Sequence, residues 1–179
     1  AEVQAAANQI ATAGATRLLG VAGAEFAQPR YSSDVLAVEA LGKAAAATII
    51  LAPATSRMNR VLAGATQRLG GRIDTHATGI AAADGKPAVT RWYYRQRMEA
   101  VLSRTQRPWV VALESGCSAA FAGAAGQASV ELVPVALPAA HQRTTVTGIQ
   151  APSADEQTIR PDAKLLFVAG AGWTKKQAD

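Results

Sequence analysis

One cysteine, two histidines and an aromatic content of only 5% are the first constraints this chain imposes. A lone thiol, Cys117, excludes a disulfide framework and suits a reducing compartment, so a cytoplasmic location is expected. His76 and His141 are far apart and have no Cys, His or carboxylate at ligand spacing, so no metal site is expected. No apolar run approaches the roughly 18 residues that a membrane helix needs, and no membrane span is expected. The opening "AEVQAAANQI" has neither a basic n-region nor an apolar h-region, which argues against a signal peptide. It also lacks an initiator Met and reads as a fragment or a processed chain. Charged residues make up only 17% against 49% hydrophobic, a balance that argues against disorder.

What is present is a chain of 179 residues, enough for one domain with a real core. The net charge is +5, which admits nucleic acid or an acidic partner. Only "TRWYYRQR" (90–97) mixes bases and aromatics densely, so a solvated or partner-facing rim is expected rather than a nucleic-acid surface.

The first half alternates. "AEVQAAANQIATAG" reads as an alanine-rich helix ending at Gly14, and "TRLLGVA" as a short buried strand. "SSDVLAVEALGKAAAA" reads as a helix capped by Ser32 or Ser33, with Val35, Leu36, Val38 and Leu41 turned inward. "TIILAP" is the clearest strand, β-branched and closed by Pro53. "ATSRMNRVLAGATQRLGG" reads as a helix capped by Thr55 or Ser56, with Val61, Leu62, Ala65 and Leu69 on its core face and Gly70-Gly71 at its end. Alternation of this kind implies a parallel sheet covered by helices. The predicted class is therefore α/β, a three-layer Rossmann-like domain with a parallel sheet.

The second half adds strands. Asp84-Gly85 marks a hairpin between two extended stretches, and "RPWVVAL" reads as another strand. "GCSAAFAGAAGQAS" is a small-residue loop. "VELVPVAL" alternates, but Pro134 argues for an edge position. "RTTVTGIQ" reads as a short strand and "APSADEQTIRPDA" as a linker. "LLFVAGAG" reads as a buried strand opening a glycine turn.

Four stretches in this order resemble the α subunit of electron transfer flavoproteins over nearly the whole chain. "IILAPATSRMNR" is similar to the family's strand and Thr-Ser/Ala-Arg turn at a helix start. "ADGKPAVTRWYY" resembles its hairpin leading into Arg-Pro-x-Tyr-Ala-Gly-Asn, with Arg91 and Tyr94 in place. "RPWVVALESG" is similar to a strand that ends in Val-Arg-Pro-Gly, and the stretch from Thr145 to Gly172 resembles the crossing into an FAD domain that opens on Gly-Gly-Arg-Gly. The departures mark a divergent member. Arg95-Gln96-Arg97 replaces Ala-Gly-Asn, Glu114 replaces the arginine after the strand, and Ala171 replaces the arginine of the glycine turn.

The resemblance implies an electron carrier, not an enzyme. In the intact protein FAD takes electrons from a dehydrogenase and passes them to an acceptor. Residues 1–152 would be the Rossmann-like domain that docks the β subunit, and 153–179 the linker and first strand of an FAD domain otherwise missing. The family's first strand would be missing as well. Gly170, Ala171 and Gly172 would face the flavin's phosphates only in an intact FAD domain, so this chain alone is expected to bind no FAD. Lys175 and Lys176 follow as a basic tail. The hairpin residues Arg91, Trp92, Tyr94, Arg95 and Arg97 are the expected partner surface, because aromatics and arginine concentrate at interface hot spots; a solvated hairpin edge is the plainer alternative.

Two other readings compete. Thr55, Ser56 and Arg57 follow a strand where open α/β sheets bind ligands, so a free-standing domain could hold an adenine nucleotide there. Ordinary helix capping explains the same residues. "ESGCSAAF" places Cys117 and Ser115 beside Glu114, but a cysteine nucleophile needs a base and no histidine is near in sequence. A tight turn holding a small residue explains that string.

Overall fold

The computed structural model describes residues 2–151, 153, 163–170 and 172, and among these are seven strands, three α-helices and two short 3-10 helices, Ala24–Phe26 and Ala139–His141. The chain divides into two compact units, residues 1–146 and 147–179. The elements in chain order are α1 (Glu2–Gln9), β1 (Leu18–Gly20), α2 (Tyr31–Ala44), β2 (Ile49–Pro53), α3 (Ser56–Arg68), β3 (Arg72–Ala83), β4 (Lys86–Tyr93), β5 (Met98–Leu102), β6 (Trp109–Leu113) and β7 (Val130–Leu132). This is a mixed α/β, Rossmann-like domain.

Five strands form one sheet in the order β2-β6-β3-β4-β5, while β1 pairs with β7 in a separate two-stranded sheet. β2, β6 and β3 run parallel, β4 runs antiparallel to β3, and β5 antiparallel to β4. β6 lies between β2 and β3, and its residues Trp109, Val110, Val111 and Ala112 are all buried, as a strand covered on both faces must be. Val110 and Ala112 pack with Ala52 and Leu62, so this face meets α3. Trp109 and Val111 pack with Ala77 and Val89 on the other. A third cluster of Val35, Val61 and Ala65 joins α2 to α3.

α3 forms as its sequence predicts. Thr55 is the N-cap, and its hydroxyl accepts from the Met58 N–H at 3.2 Å. Val61, Leu62 and Ala65 are buried. Gly70, with φ +67°, ends the helix, and the Gly71 N–H donates to the Thr66 carbonyl at 3.0 Å. Asp84 and Gly85 take φ values of +51° and +71°, which supplies the left-handed pair that a tight hairpin between β3 and β4 requires.

Several expectations are corrected. α2 begins at Tyr31 with Arg30 as its N-cap, and no side chain caps it. Ser33 sits inside the first turn and donates to the Arg30 carbonyl, and Ser32 donates to the His141 carbonyl at 2.6 Å. α1 ends at Gln9, before Gly14, because single turns at Ile10 and Ala13 replace continued helix. The two strands of the alternating first half do not share one parallel sheet: β2 is an edge strand of the five-stranded sheet, and β1 pairs elsewhere. β7 stops at Leu132, before Pro134, and finds its partner in β1.

The run at 143–150 forms no strand, and of its residues only Val146 is partly buried. No strand forms at Leu165–Val168 either: these side chains are exposed, and apolar character alone does not make a strand without an edge to pair with. The sequence patterns do not announce β5. It is joined to β4 through Tyr94, Arg95 and Gln96, which adopt left-handed φ of +49°, +57° and +64° with no glycine, asparagine or proline to mark the turn.

Candidate functional site

β2 and β6 end together beside Ala77, from where β3 continues to Ala83 with β4 alone, and the segments that leave β2 and β6 meet there at one edge of the sheet. The Ala54 N–H donates to the Leu113 carbonyl and the Glu114 N–H to the Ala77 carbonyl, both at 2.8 Å, so the exits of β2, β6 and β3 are tied across. This carboxyl edge is where open α/β sheets place ligands. A cleft of about 590 Å³ opens there, walled by Asn59 from α3, His76 from β3, Glu114 after β6, and residues 91–96 at the end of β4 and its turn.

Local backbone irregularity aims these side chains. The pairing of β3 shifts between Asp74 and Ala77, and within that bulge His76 takes φ +56°. Bulges of this sort redirect a side chain without ending the strand. His76 Nδ1 lies 2.9 Å from Glu114 Oε1. Asn59 donates from Nδ2 to the Ala54 carbonyl at 3.1 Å, fixing its amide at the rim. The Arg91 guanidinium stacks over the Tyr93 ring at 4.3 Å from the centroid.

Beneath the cleft lies a buried carboxylate. Asp74 is 2% exposed and accepts from Arg104 Nε and Nη2 at 2.9 Å each, from Trp109 Nε1 at 2.9 Å, and from Arg91 Nη1 at 3.3 Å. Burial alone would raise its pKa. The hydrogen bonds from Arg104 and Trp109, with the charge of Arg104, outweigh that and hold the carboxyl below its usual value. Arg104 is raised in return by its bond to Asp74. Arg91 Nε is buried with no hydrogen-bond partner.

The sequence-predicted residues divide between this place and others. Arg91, Trp92, Tyr94 and Arg95 line the cleft, with Tyr94 73% exposed, and Arg97 comes next on the exposed turn. Thr55 serves as a cap, Ser56 is exposed, and Arg57 turns away to Asp34. Its Nε and Nη2 donate to the carboxylate at 2.8 and 2.6 Å, and Nη2 also donates to the Phe26 carbonyl. That bond to Asp34 raises the Arg57 pKa. Arg57 is therefore engaged in joining α3 to α2. Cys117 is half-buried in the turn after β6, where Gly116 has φ +80° and the Cys117 N–H reaches the Glu114 carbonyl. His141 Nε2 lies 3.3 Å from Arg68 Nη2. Among the described residues no three Cys, His, Asp or Glu gather as a metal site.

Asp74, Arg104 and Trp109 do not stand out in the sequence as site residues. The available signal is an aspartate inside an otherwise apolar strand, "RIDTHA", which must find donors if it faces inward.

A Rossmann-like α/β fold with a polar cleft at the carboxyl edge of its parallel strands defines a class of ligand- and partner-binding domains. Within it, the family model described as "Electron transfer flavoprotein domain" matches residues 1–138, and the chain belongs to that family. Proteins built on this domain carry electrons, so the chain has an electron-transfer-flavoprotein-like function. No curated protein matches the chain. Among the described residues no helix is long and apolar enough to cross a membrane.

The family implies FAD, and the glycine turn expected to meet it was Gly170-Ala171-Gly172. Ala171, Lys175 and Lys176 lie outside the described residues. A Cβ placed on Gly170 or Gly172 meets nothing within 4 Å, so these two glycines form no close cradle.

Proposed function

We propose that this chain is the partner-docking domain of an α-type electron transfer flavoprotein subunit, and that it docks a β-type subunit through the β4–β5 turn. The intact protein would carry electrons from a dehydrogenase to a downstream acceptor through FAD; the flavin supplies the redox chemistry, and the protein supplies position and electrostatics.

One observation supports this reading above the rest. The turn that carries Tyr94, Arg95, Gln96 and Arg97 is exposed at the end of an antiparallel hairpin, and Trp92 and Tyr93 behind it are half-buried. Aromatic and arginine side chains on a firm backbone are what interface centres select, because they bring area and directional hydrogen bonds at small entropic cost. Met98 and Val101 on β5 are also exposed, at 53% and 68%, on opposite faces of the strand.

The test is co-purification of the whole gene product with its candidate β-type partner, read by intact mass and visible absorption. A heterodimer with stoichiometric flavin is expected, and Tyr94→Ala with Arg95→Ala should weaken the heterodimer by about tenfold or more. A colourless monomer would overturn the reading.

A further inference from the structure

The charges around the carboxyl-edge cleft do not balance. Asp74 is already satisfied by two bonds from Arg104 and one from the Trp109 indole. Arg91 adds only a single contact at 3.3 Å, and its Nε is buried without an acceptor. Its guanidinium is thus the surplus charge of that network, held at the cleft by stacking on Tyr93. A buried, unpaired donor on a cation is costly, and a site that keeps one is a candidate for an acceptor brought from outside.

Arg95 adds a second positive charge to the cleft wall. The only carboxylate on that wall is Glu114, and His76 holds it at 2.9 Å. Two guanidiniums against one carboxylate leave room for a single negative charge. The Tyr93 ring is covered by the Arg91 guanidinium, but the exposed Tyr94 ring, 6.3 Å from it at a 42° tilt, offers a face to a flat organic group behind that charge.

We propose that this cleft binds a small planar organic monocarboxylate, its carboxylate paired with Arg91 and Arg95 and its flat portion against Tyr94. A guanidinium matches a carboxylate in geometry through paired N–H donors. A phosphate dianion would bring a second negative charge toward Glu114, so the site favours the carboxylate. The site does not rest on the docking reading, but the same turn supplies Tyr94 and Arg95 to the cleft wall, so it is tested on the chain free of any partner.

The test uses the full chain, ¹⁵N-labelled and titrated with sodium benzoate at constant ionic strength, while the Arg91 Nε–H resonance is followed. Sodium chloride, benzyl alcohol and inorganic phosphate serve as separate arms. Saturable movement of that resonance with benzoate is expected, and not with chloride or benzyl alcohol. Glu114→Gln removes a like charge and should tighten benzoate by about threefold to tenfold; Arg95→Gln should weaken it by a similar factor. Arg95 lies on the exposed turn, so its variant keeps the fold, and circular dichroism checks both. A benzoate effect no larger than that of chloride overturns the proposal. So does an equal response to benzyl alcohol, tighter binding of phosphate than of benzoate, or indifference of benzoate affinity to Glu114→Gln.

Discussion

The indole N–H of Trp109 donates to Asp74 Oδ2 at 2.9 Å, and both side chains are out of water, at 0% and 2% exposure. The bond ties β6 to β3 at the centre of the five-stranded sheet. It also explains how an aspartate survives there, since Arg104 and Arg91 complete its shell from beyond β3.

Removing that carboxylate leaves two guanidiniums and an indole without their acceptor. Asp74→Ala should therefore cost about 3–5 kcal/mol, the range for breaking a buried ion pair by deleting one partner. Trp109→Phe keeps most of the ring's packing and loses only the donor, and should cost about 1–3 kcal/mol. Urea unfolding followed by circular dichroism gives both values. Near-equal costs for the two would show that the charge network contributes little beyond the indole bond.

The same group sets part of the acid response. The folded-state pKa of Asp74 is depressed, so its contribution is fully present above the pKa of an unfolded aspartate, about 3.9. It is lost as pH falls from there through the lower folded value. Midpoints of urea unfolding measured from pH 7 down to pH 2 should fall in that acid window for the parent chain. The Asp74→Asn curve should start lower and show a shallower acid limb. An acid limb unchanged in slope would mean that other carboxylates carry it.

How much of this was legible in the sequence depended on whether the signal was local. α3 was readable because its cap, its apolar face and its terminal glycines all lie within its own stretch. The β3–β4 hairpin was readable because Asp84-Gly85 states its turn. β5 was not, because three left-handed residues of ordinary type form its turn, held by the Arg97 N–H bond to the Tyr93 carbonyl and by the pairing of β5 with β4. The position of β2 at a sheet edge depends on which strand β1 chooses, and β7 is more than a hundred residues away in sequence. The cleft is legible only in part for the same reason. Arg91 and Arg95 stand out in a dense basic and aromatic run, whereas His76 and Glu114 meet only through the parallel register of β3 and β6.

Arg57 separates two readings of its helix start. It donates twice to Asp34, whose side chain is 9% exposed, so Arg57→Met strands a nearly buried carboxylate. The expected loss is about 2 kcal/mol, read as a drop in the urea midpoint. If that is its role, millimolar adenosine monophosphate should leave the melting temperature of the parent chain unchanged. A nucleotide-dependent rise that disappears in Arg57→Met would instead place a nucleotide at Thr55, Ser56 and Arg57.

The two glycines after α3 should respond differently to the same substitution, because they are glycine for different reasons. Gly70 has φ +67°, and a Cβ added there would stand in open space, so Gly70→Ala costs only backbone strain, about 1 kcal/mol. Gly70→Asn should recover much of that, since asparagine tolerates the left-handed region. Gly71 has no such φ, but its Cβ would run into the backbone carbonyl of Pro108, the same oxygen that accepts from the Arg72 N–H at 3.0 Å. That carbonyl is fixed by the start of β3 beside β6 and has little room to give. Gly71→Ala should therefore cost more than Gly70→Ala, about 2–3 kcal/mol, and Gly71→Asn should be no better. Thermal unfolding of the four variants ranks them directly. A Gly71→Ala chain as stable as the parent would mean that the β3–β6 junction shifts freely.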